Sequence, residues 1–366
     1  MKLRISLYIL VISYVFLACA HKNTEWRGSI EVKNGVKIVK NPREPIYSGK
    51  ILSLTEELNL GESSTEQFLF YNIKELDVDH KLNIYVLDWM ARKILVFDQS
   101  GKLLRTIGRK GQGPGEFERP MDISIFGNRL MVHDLERCIS FFTLDGEYIR
   151  SITSNDVLGI WDVYCDSIGN IIADTSQLDL KNLGKPKHVY RKYDHNLNLI
   201  FQFAESPGPS ELGPNNPFSA FGSIAVDQEN NIIFGYPDGY TIDIFNSDGR
   251  LVKKIEKEYA PDELSSQDKR EMKADNPGSR SIDYPKYKPP FRRFFIDDKG
   301  RIYVGTWRNS GRKDSYYYDI FDPEGRYLAQ INLKEKPILS REGKLYSIEK
   351  NEEGFQFVKR YKMIWK

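Results

Sequence analysis

Six residues of contrasting chemistry recur at one position of a repeated pattern in this 366-residue chain: Glu75, Asp122, Asp162, Ser223, Arg293 and Lys336. Three carboxylates around one axis would supply the hard oxygen ligands that a divalent cation such as Ca²⁺ takes. The same acids facing Arg293 and Lys336 would instead form an ion-pair network filling the space between them. A mixed set of acids, bases and a hydroxyl equally suits a small polar ligand. At the level of sequence all three readings stand. Trp161, beside Asp162, adds an aromatic face that could stack on a sugar, although packing in a core is the commoner fate of a tryptophan.

Other chemistries find little support. Of the five histidines, His21 lies near the N-terminus and His80 in a turn, while His188 and His195 border a peripheral strand. His133 ends a strand beside Asp134, but the matching pairs Leu87-Asp88 and Ala173-Asp174 keep the Asp without the His, so the repeated acid reads as a turn residue. No Cys/His metal spacing, no C-x-x-C and no Ser-His-Asp arrangement is present. Cys138 and Cys165 fall in strands of different repeats and read as two unpaired core thiols.

The elements that position the six residues are strands. The stretch Ile94-Leu95-Val96-Phe97-Asp98 closing on Gly101 recurs as Ile139–Phe142 before Gly146, Ile242–Asn246 before Gly249 and Tyr318–Asp322 before Gly325. A weaker copy, Val189 to Asp194, has Asn196 and Asn198 where the others have Gly. Each copy is the third strand of a four-stranded antiparallel unit with Gly, Asp or Asn at the reversals, which is the pattern of a propeller blade. Five units are complete. The segments Ile338–Ser340, Leu345–Ile348 and Phe355–Tyr361 supply three strands of a sixth, and the lone strand Ile51–Leu58 supplies its fourth. The expected fold is therefore an all-β, six-bladed propeller whose last blade joins both ends of the chain, so that no edge is left open. The first residues of the innermost strands, the six named above, would face a central channel. Two segments interrupt the rhythm: 256–290, with a helix expected over Asp262–Ala274, and Thr175–His188, an extended hairpin tip.

Lys2 and Arg4 precede the apolar run Ile5–Ala18, which is too short to span a bilayer comfortably and reads as a signal peptide. Phe16-Leu17-Ala18-Cys19 resembles the lipobox of bacterial lipoproteins, in which the cysteine, here Cys19, becomes the lipidated N-terminus. The expected organisation is a signal peptide over 1–18, a lipidated Cys and flexible tether over 19–35 and the propeller over 36–366. The chain has 53 basic and 51 acidic residues. Residues 1–18 hold two of the bases and none of the acids, so the remainder is balanced and lacks the positive field that nucleic acid requires.

The run Ile107-Gly108-Arg109-Lys110-Gly111-Gln112-Gly113-Pro114-Gly115-Glu116-Phe117, with Pro120, resembles the blade-connecting phrase of NHL-type propellers. Together with the lipobox, residues 36–366 resemble the six-bladed β-propeller lipoproteins of Gram-negative bacteria. The glycines of this loop suit backbone with positive φ; a phosphate-cradling loop would have to open a helix, and this one runs from strand to strand. The resemblance implies a fold and a lipid-anchored cell-envelope location, in the outer membrane on its periplasmic or surface face, and no reaction. The expected role is a ligand- or protein-binding or scaffold module with its site at the channel mouth. The alternatives are an enzyme on a small metabolite or glycan fragment, with or without a divalent cation, and an accessory subunit of a nutrient-uptake or sensing complex. NHL-like relatives include metal-dependent lyases and lactonases, but neither a metal-binding His set nor an acid/Asn set maps onto this chain.

Overall fold

A computed structural model describes residues 25–61, 70–135, 138–153, 160–179, 185–207, 221–275, 284–309, 315–334 and 336–366. Residues 1–24, which include the expected signal peptide and Cys19, lie outside this set. The described strands form six sheets around one axis. Blade 1 comprises Ile73–Val78, Ile84–Asp88, Lys93–Phe97 and Leu103–Ile107. Blade 2 comprises Pro120–Phe126, Arg129–Asp134, Cys138–Thr143 and Tyr148–Thr153. Blade 3 comprises Ile160–Cys165, Ile171–Asp179, Lys185–Tyr193 and Leu199–Pro207. Blade 4 contains Ser223–Val226, Ile232–Gly235, Thr241–Phe245 and Leu251–Lys257, and blade 5 contains Phe294–Ile296, Ile302–Asn309, Ser315–Phe321 and Tyr327–Lys334. Blade 6 joins Lys336–Arg341, Lys344–Lys350 and Gln356–Trp365 to Leu52–Leu60. The antiparallel register of that last pair runs from Val358↔Leu60 to Trp365↔Leu52. The fold is thus the expected six-bladed propeller, closed by strands from the two ends of the chain.

The turns explain why the sequence repeats. Asp79 Oδ1 accepts the Lys81 and Asn83 N–H groups, and its other oxygen accepts the Asn83 side-chain amide. Asp166, Asp194 and Asp227 repeat all three bonds with Asn170, Asn198 and Asn231. These Asx turns hold the chain reversal in place of backbone partners. The fourth position of each turn is left-handed: Gly101 has φ 90°, whereas Leu197 takes φ 65° in the copy that lacks the glycine.

Between successive blades lies an apolar layer. Tyr85, Leu87 and Ile107 of blade 1 meet Ile123, Val132 and Phe142 of blade 2. Ile172 and Tyr190 of blade 3 meet Ile224 and Phe234 of blade 4, and Leu52 and Leu345 of blade 6 meet Tyr303 and Ile331 of blade 5. Within the blade 1–2 connection, Phe117 is fully buried and Gly108, at φ 74°, lies so close that a methyl group there would overlap its ring. The Glu116 carboxylate accepts Gly113 N–H and Arg109 Nε, so this loop is closed by its own side chains.

Two expectations need correction. The described part of the tether is not irregular: Ser29–Lys33 pairs with Val36–Asn41 through Asn34-Gly35, and the second of these strands adds in parallel to the outer strand of blade 4. Asn34 and Gly35 both have positive φ, as a two-residue hairpin turn demands, and Asn-Gly is the sequence signal for it. Asn41 anchors the hairpin, its amide donating to the Glu256 and Gly325 carbonyls while its oxygen accepts the Tyr327 N–H and Trp26 Nε1. The helix also starts later than expected, covering Ser266–Asp275, because Ser265 and Asp268 form a capping box, Asp268 N–H donating to Ser265 Oγ and Ser265 N–H to the Asp268 carboxylate. Asp262 instead lies near Lys288, at 3.8 Å. The long blade 3 hairpin is as expected, paired out to Asp179↔Lys185.

Truncation after Glu335 should abolish the single cooperative thermal transition of the whole ring, because Leu52–Leu60 loses its partner and two blade interfaces open. A truncated chain melting cooperatively at the full-length temperature would contradict closure by the two ends. Replacing Asn41 by Ala should cost about 1–3 kcal/mol in denaturant unfolding, since the Tyr327 N–H would be left buried without its acceptor.

Candidate functional site in the central channel

All six inner strands line one cavity of about 600 Å³ along the axis. Glu75, Asp122, Asp162, Ser223 and Arg293 contribute to its wall, so the structure brings five of the six candidates together. The side chain of Lys336 lies outside the described residues; its strand meets the cavity with Pro337, Leu339 and Arg341. The equivalence follows from register. Glu75 pairs with Leu87, Asp122 with His133 and Ser223 with Gly235, and the Gly305 N–H donates to the Arg293 carbonyl. Near the mouth the inner strands of blades 1, 2, 3 and 6 each carry a register shift. Such bulges re-aim side chains.

The five residues are not equal. Ser223 is buried, and its hydroxyl accepts the Phe294 N–H at 3.2 Å, stitching blade 4 to blade 5. Arg293 extends into the lumen, with its side chain 78% exposed and Nη2 3.9 Å from Asp162 Oδ2. The Asp162 carboxylate is the main reason that its guanidinium is held more firmly protonated than usual. Burial, and secondarily the neighbouring Asp122, push the Glu75 carboxyl up to about 8. Burial also raises Asp122, against the pull of His133, whose Nδ1 lies 3.2 Å from Asp122 Oδ2. At neutral pH Glu75 is therefore mainly an uncharged acid, able to donate as well as accept a hydrogen bond.

Several groups around the channel escape a reading of the sequence confined to the first inner-strand residues. Two residues further along, Asp77 and Tyr164 also line the cavity, as strand alternation requires. Asp77 accepts the Val78 N–H and, across to blade 2, the Ile125 N–H at 2.6 Å, and lies 3.5 Å from Arg341 of blade 6. It ties three blades together. His133 bonds to Asp122 rather than to the adjacent Asp134, which accepts the Glu118 and Arg119 N–H groups. Asp88 does the same for Tyr71 and Asn72, as a turn-stabilising acid should. Asp174 is different. It lies opposite Tyr190 of the next strand and bonds through its side chain to His188 Nδ1 at 2.8 Å, so it is not a third copy of the turn acid. His188 is fully enclosed rather than peripheral.

Among the described residues no three His, Cys, Asp or Glu side chains converge as a metal-holding set. Glu75, Asp122 and Asp162 share a wall without forming the cation cage that their sequence position allowed. Cys165 is a free thiol beside Met131, its Sγ 3.2 Å from Met131 Sδ; the Cys138 side chain lies outside the described residues. In the 256–290 insertion, Leu264 and Tyr284 pack on Trp307 of blade 5, and none of its described residues lines the cavity.

The sequence profile of the family DUF5128, described as a 6-bladed beta-propeller, matches residues 58–228. No curated protein matches the chain by sequence. Among solved structures, a candidate exported protein of Bacteroides fragilis aligns with a TM-score of 0.57 at 14% identity, over 90% of this chain and 99% of its own. A member of the duf4221 family from Bacteroides vulgatus aligns with a TM-score of 0.50 at 10% identity, over 86% and 99%. The virginiamycin B lyase of Staphylococcus aureus aligns with a TM-score of 0.45 at 10% identity, over 84% and 99%. These similarities concern the fold.

The raised Glu75 carboxyl has a definite sign in stability. The folded chain holds this proton more tightly than the unfolded chain does, so its contribution is complete below about pH 4.5 and is lost as pH rises through about 8. Glu75→Gln should therefore remove part of the decline in melting temperature between pH 5 and 9. Parallel wild-type and variant curves across that window would contradict an acid held neutral in the channel.

Proposed function

We propose that this propeller is a lipid-anchored binding module of the cell envelope, and that its ligand is a small polar molecule taken into the channel mouth. The observation carrying this reading is the cavity itself: about 600 Å³, within the usual range of ligand sites, with Arg293 reaching into it from one wall and carboxyl groups facing it from others. A network serving only stability would bring its partners into close contact. Here the Arg293–Asp162 approach is 3.9 Å and the guanidinium remains open to the lumen. The basic, apolar and lipobox-like features of residues 1–19 support the anchor.

A second reading, chemistry on the bound molecule, is favoured by one observation. Glu75 is a proton donor at neutral pH beside Asp122, and two carboxyl groups held in different states are the usual equipment for general acid–base catalysis. Turnover of a bound compound, lost in Glu75→Gln with binding retained, would separate this reading from binding alone.

A thermal-shift screen of sugars, amines and carboxylic acids against the full-length protein tests the main reading. A ligand at a hundred times its Kd should add about 2.7 kcal/mol of stability. The shift should vanish in Arg293→Met and weaken in Asp162→Asn. No shift with any compound, or shifts untouched by both substitutions, would overturn the channel as a binding site. Separately, Cys19→Ser should move the expressed protein from the detergent phase to the aqueous phase on phase partitioning; unchanged partitioning would overturn the anchor.

A further inference from the structure

The residue before Asp162 extends the site beyond the channel wall. Register between the first two strands of blade 3 jumps from Ile160↔Thr175 to Val163↔Ala173, so Trp161 and Asp162 have no paired position opposite them. The indole is 48% exposed. It is nevertheless fixed, because Nε1 donates to Ser176 Oγ at 2.6 Å. Behind it sits His188, its ring centroid 6.4 Å from the indole and its Nδ1 2.8 Å from Asp174. Phe221 packs edge-on against the same imidazole at 5.8 Å and is itself 41% exposed. Phe221 lies two residues before Ser223 and Trp161 one before Asp162, so both rings stand at the mouth end of inner strands. Neither ring lines the cavity itself; beside it, at the start of the inner strands of blades 3 and 4, they form a braced aromatic surface in which the indole N–H is already satisfied.

The adjoining polar groups are mixed in sign and in hydrogen-bonding sense. Asp122 and Asp162 accept, Arg293 donates, and the neutral Glu75 does both. An anionic ligand would meet the carboxylates, and a cationic one would meet Arg293. An uncharged ligand bearing many hydroxyls satisfies both kinds of group, and one with an apolar ring face also matches the indole. Pyranose sugars combine these properties.

We propose that the channel mouth is a carbohydrate site, in which Trp161 stacks on a neutral pyranose ring while Asp162, Asp122 and Arg293 bind its hydroxyls. This rests on the reading of the channel as a ligand site and assigns the ligand class. Ser176 and His188 act as positioning residues for the indole.

The test is a microarray of neutral, acidic and amino glycans probed with the full-length protein, with choline and putrescine as competitors. Binding to one or more neutral glycans is expected. Trp161→Ala should weaken it by roughly tenfold or more, Trp161→Phe should retain most of it because an aromatic face remains, and neither should shift the melting temperature enough to indicate unfolding. Neutral-glycan binding indifferent to Trp161→Ala would overturn the assignment, as would the absence of any glycan signal. Should a non-sugar compound bind and be lost in Arg293→Met, the carbohydrate assignment fails while the channel-binding reading survives.

Discussion

Everything in this molecule depends on closing a ring of sheets, and the closure is made by pairing Leu52–Leu60 with Gln356–Trp365. A four-stranded blade is apolar on both faces, so each is stable only between two neighbours. The layers between blades bury the large aromatic residues, among them Tyr85, Tyr190, Tyr303, Tyr327 and Tyr346. An open ring would expose two of these faces and the edges of two sheets. Blade 5 shows how deeply polar groups are drawn into this packing. Asp319 accepts the Tyr240 and Tyr327 hydroxyls at 2.6 and 2.7 Å, and Lys257 lies 3.1 Å away between the two phenol rings. Such a buried charge is tolerable only because it is fully partnered.

Closure also creates the channel, and with it the electrostatic character of the site. Six inner strands converge on one axis, and the Glu75 and Asp122 carboxyls they carry there are withdrawn from bulk water. That common desolvation raises Glu75 and Asp122, while Arg293 is kept protonated chiefly by Asp162. The scaffold repeats sixfold, but the channel chemistry is asymmetric: acids on blades 1 to 3, a committed serine on blade 4 and a cation on blade 5. A ligand bound there would be read by an asymmetric constellation held by a nearly symmetric frame.

The blades, their order and the shared sixth blade were legible because their signals are local and repeated. Asx turns need Asp or Asn at the first position, and alternation fixes which residues face inward. The channel residues were legible for the same reason, since aligning the turns aligns Glu75, Asp122, Asp162, Ser223 and Arg293. What each residue does was not. Nothing local distinguishes Ser223, tied to the Phe294 N–H, from Arg293, open to the lumen. Asp174 resembled the turn acids Asp88 and Asp134 in sequence but stands one register position away from them: Asp88 and Asp134 pair with Ile73 and Pro120, and in blade 3 the corresponding partner of Ile160 is Thr175. The Asn34-Gly35 hairpin was legible in principle, but a pair of strands docked on the outside of blade 4 does not share the repeat.

On the proposed reading, the ligand binds at the channel mouth, against Arg293 and the carboxyl groups around it. The most direct measurement is a crystal structure of the protein grown with the glycan or metabolite that binds it most tightly. Ligand density is expected at the mouth, against the Trp161 indole and within hydrogen-bond distance of Arg293 and Asp162. Density for that ligand on the outer rim of the blades, with the channel holding only solvent, would contradict it.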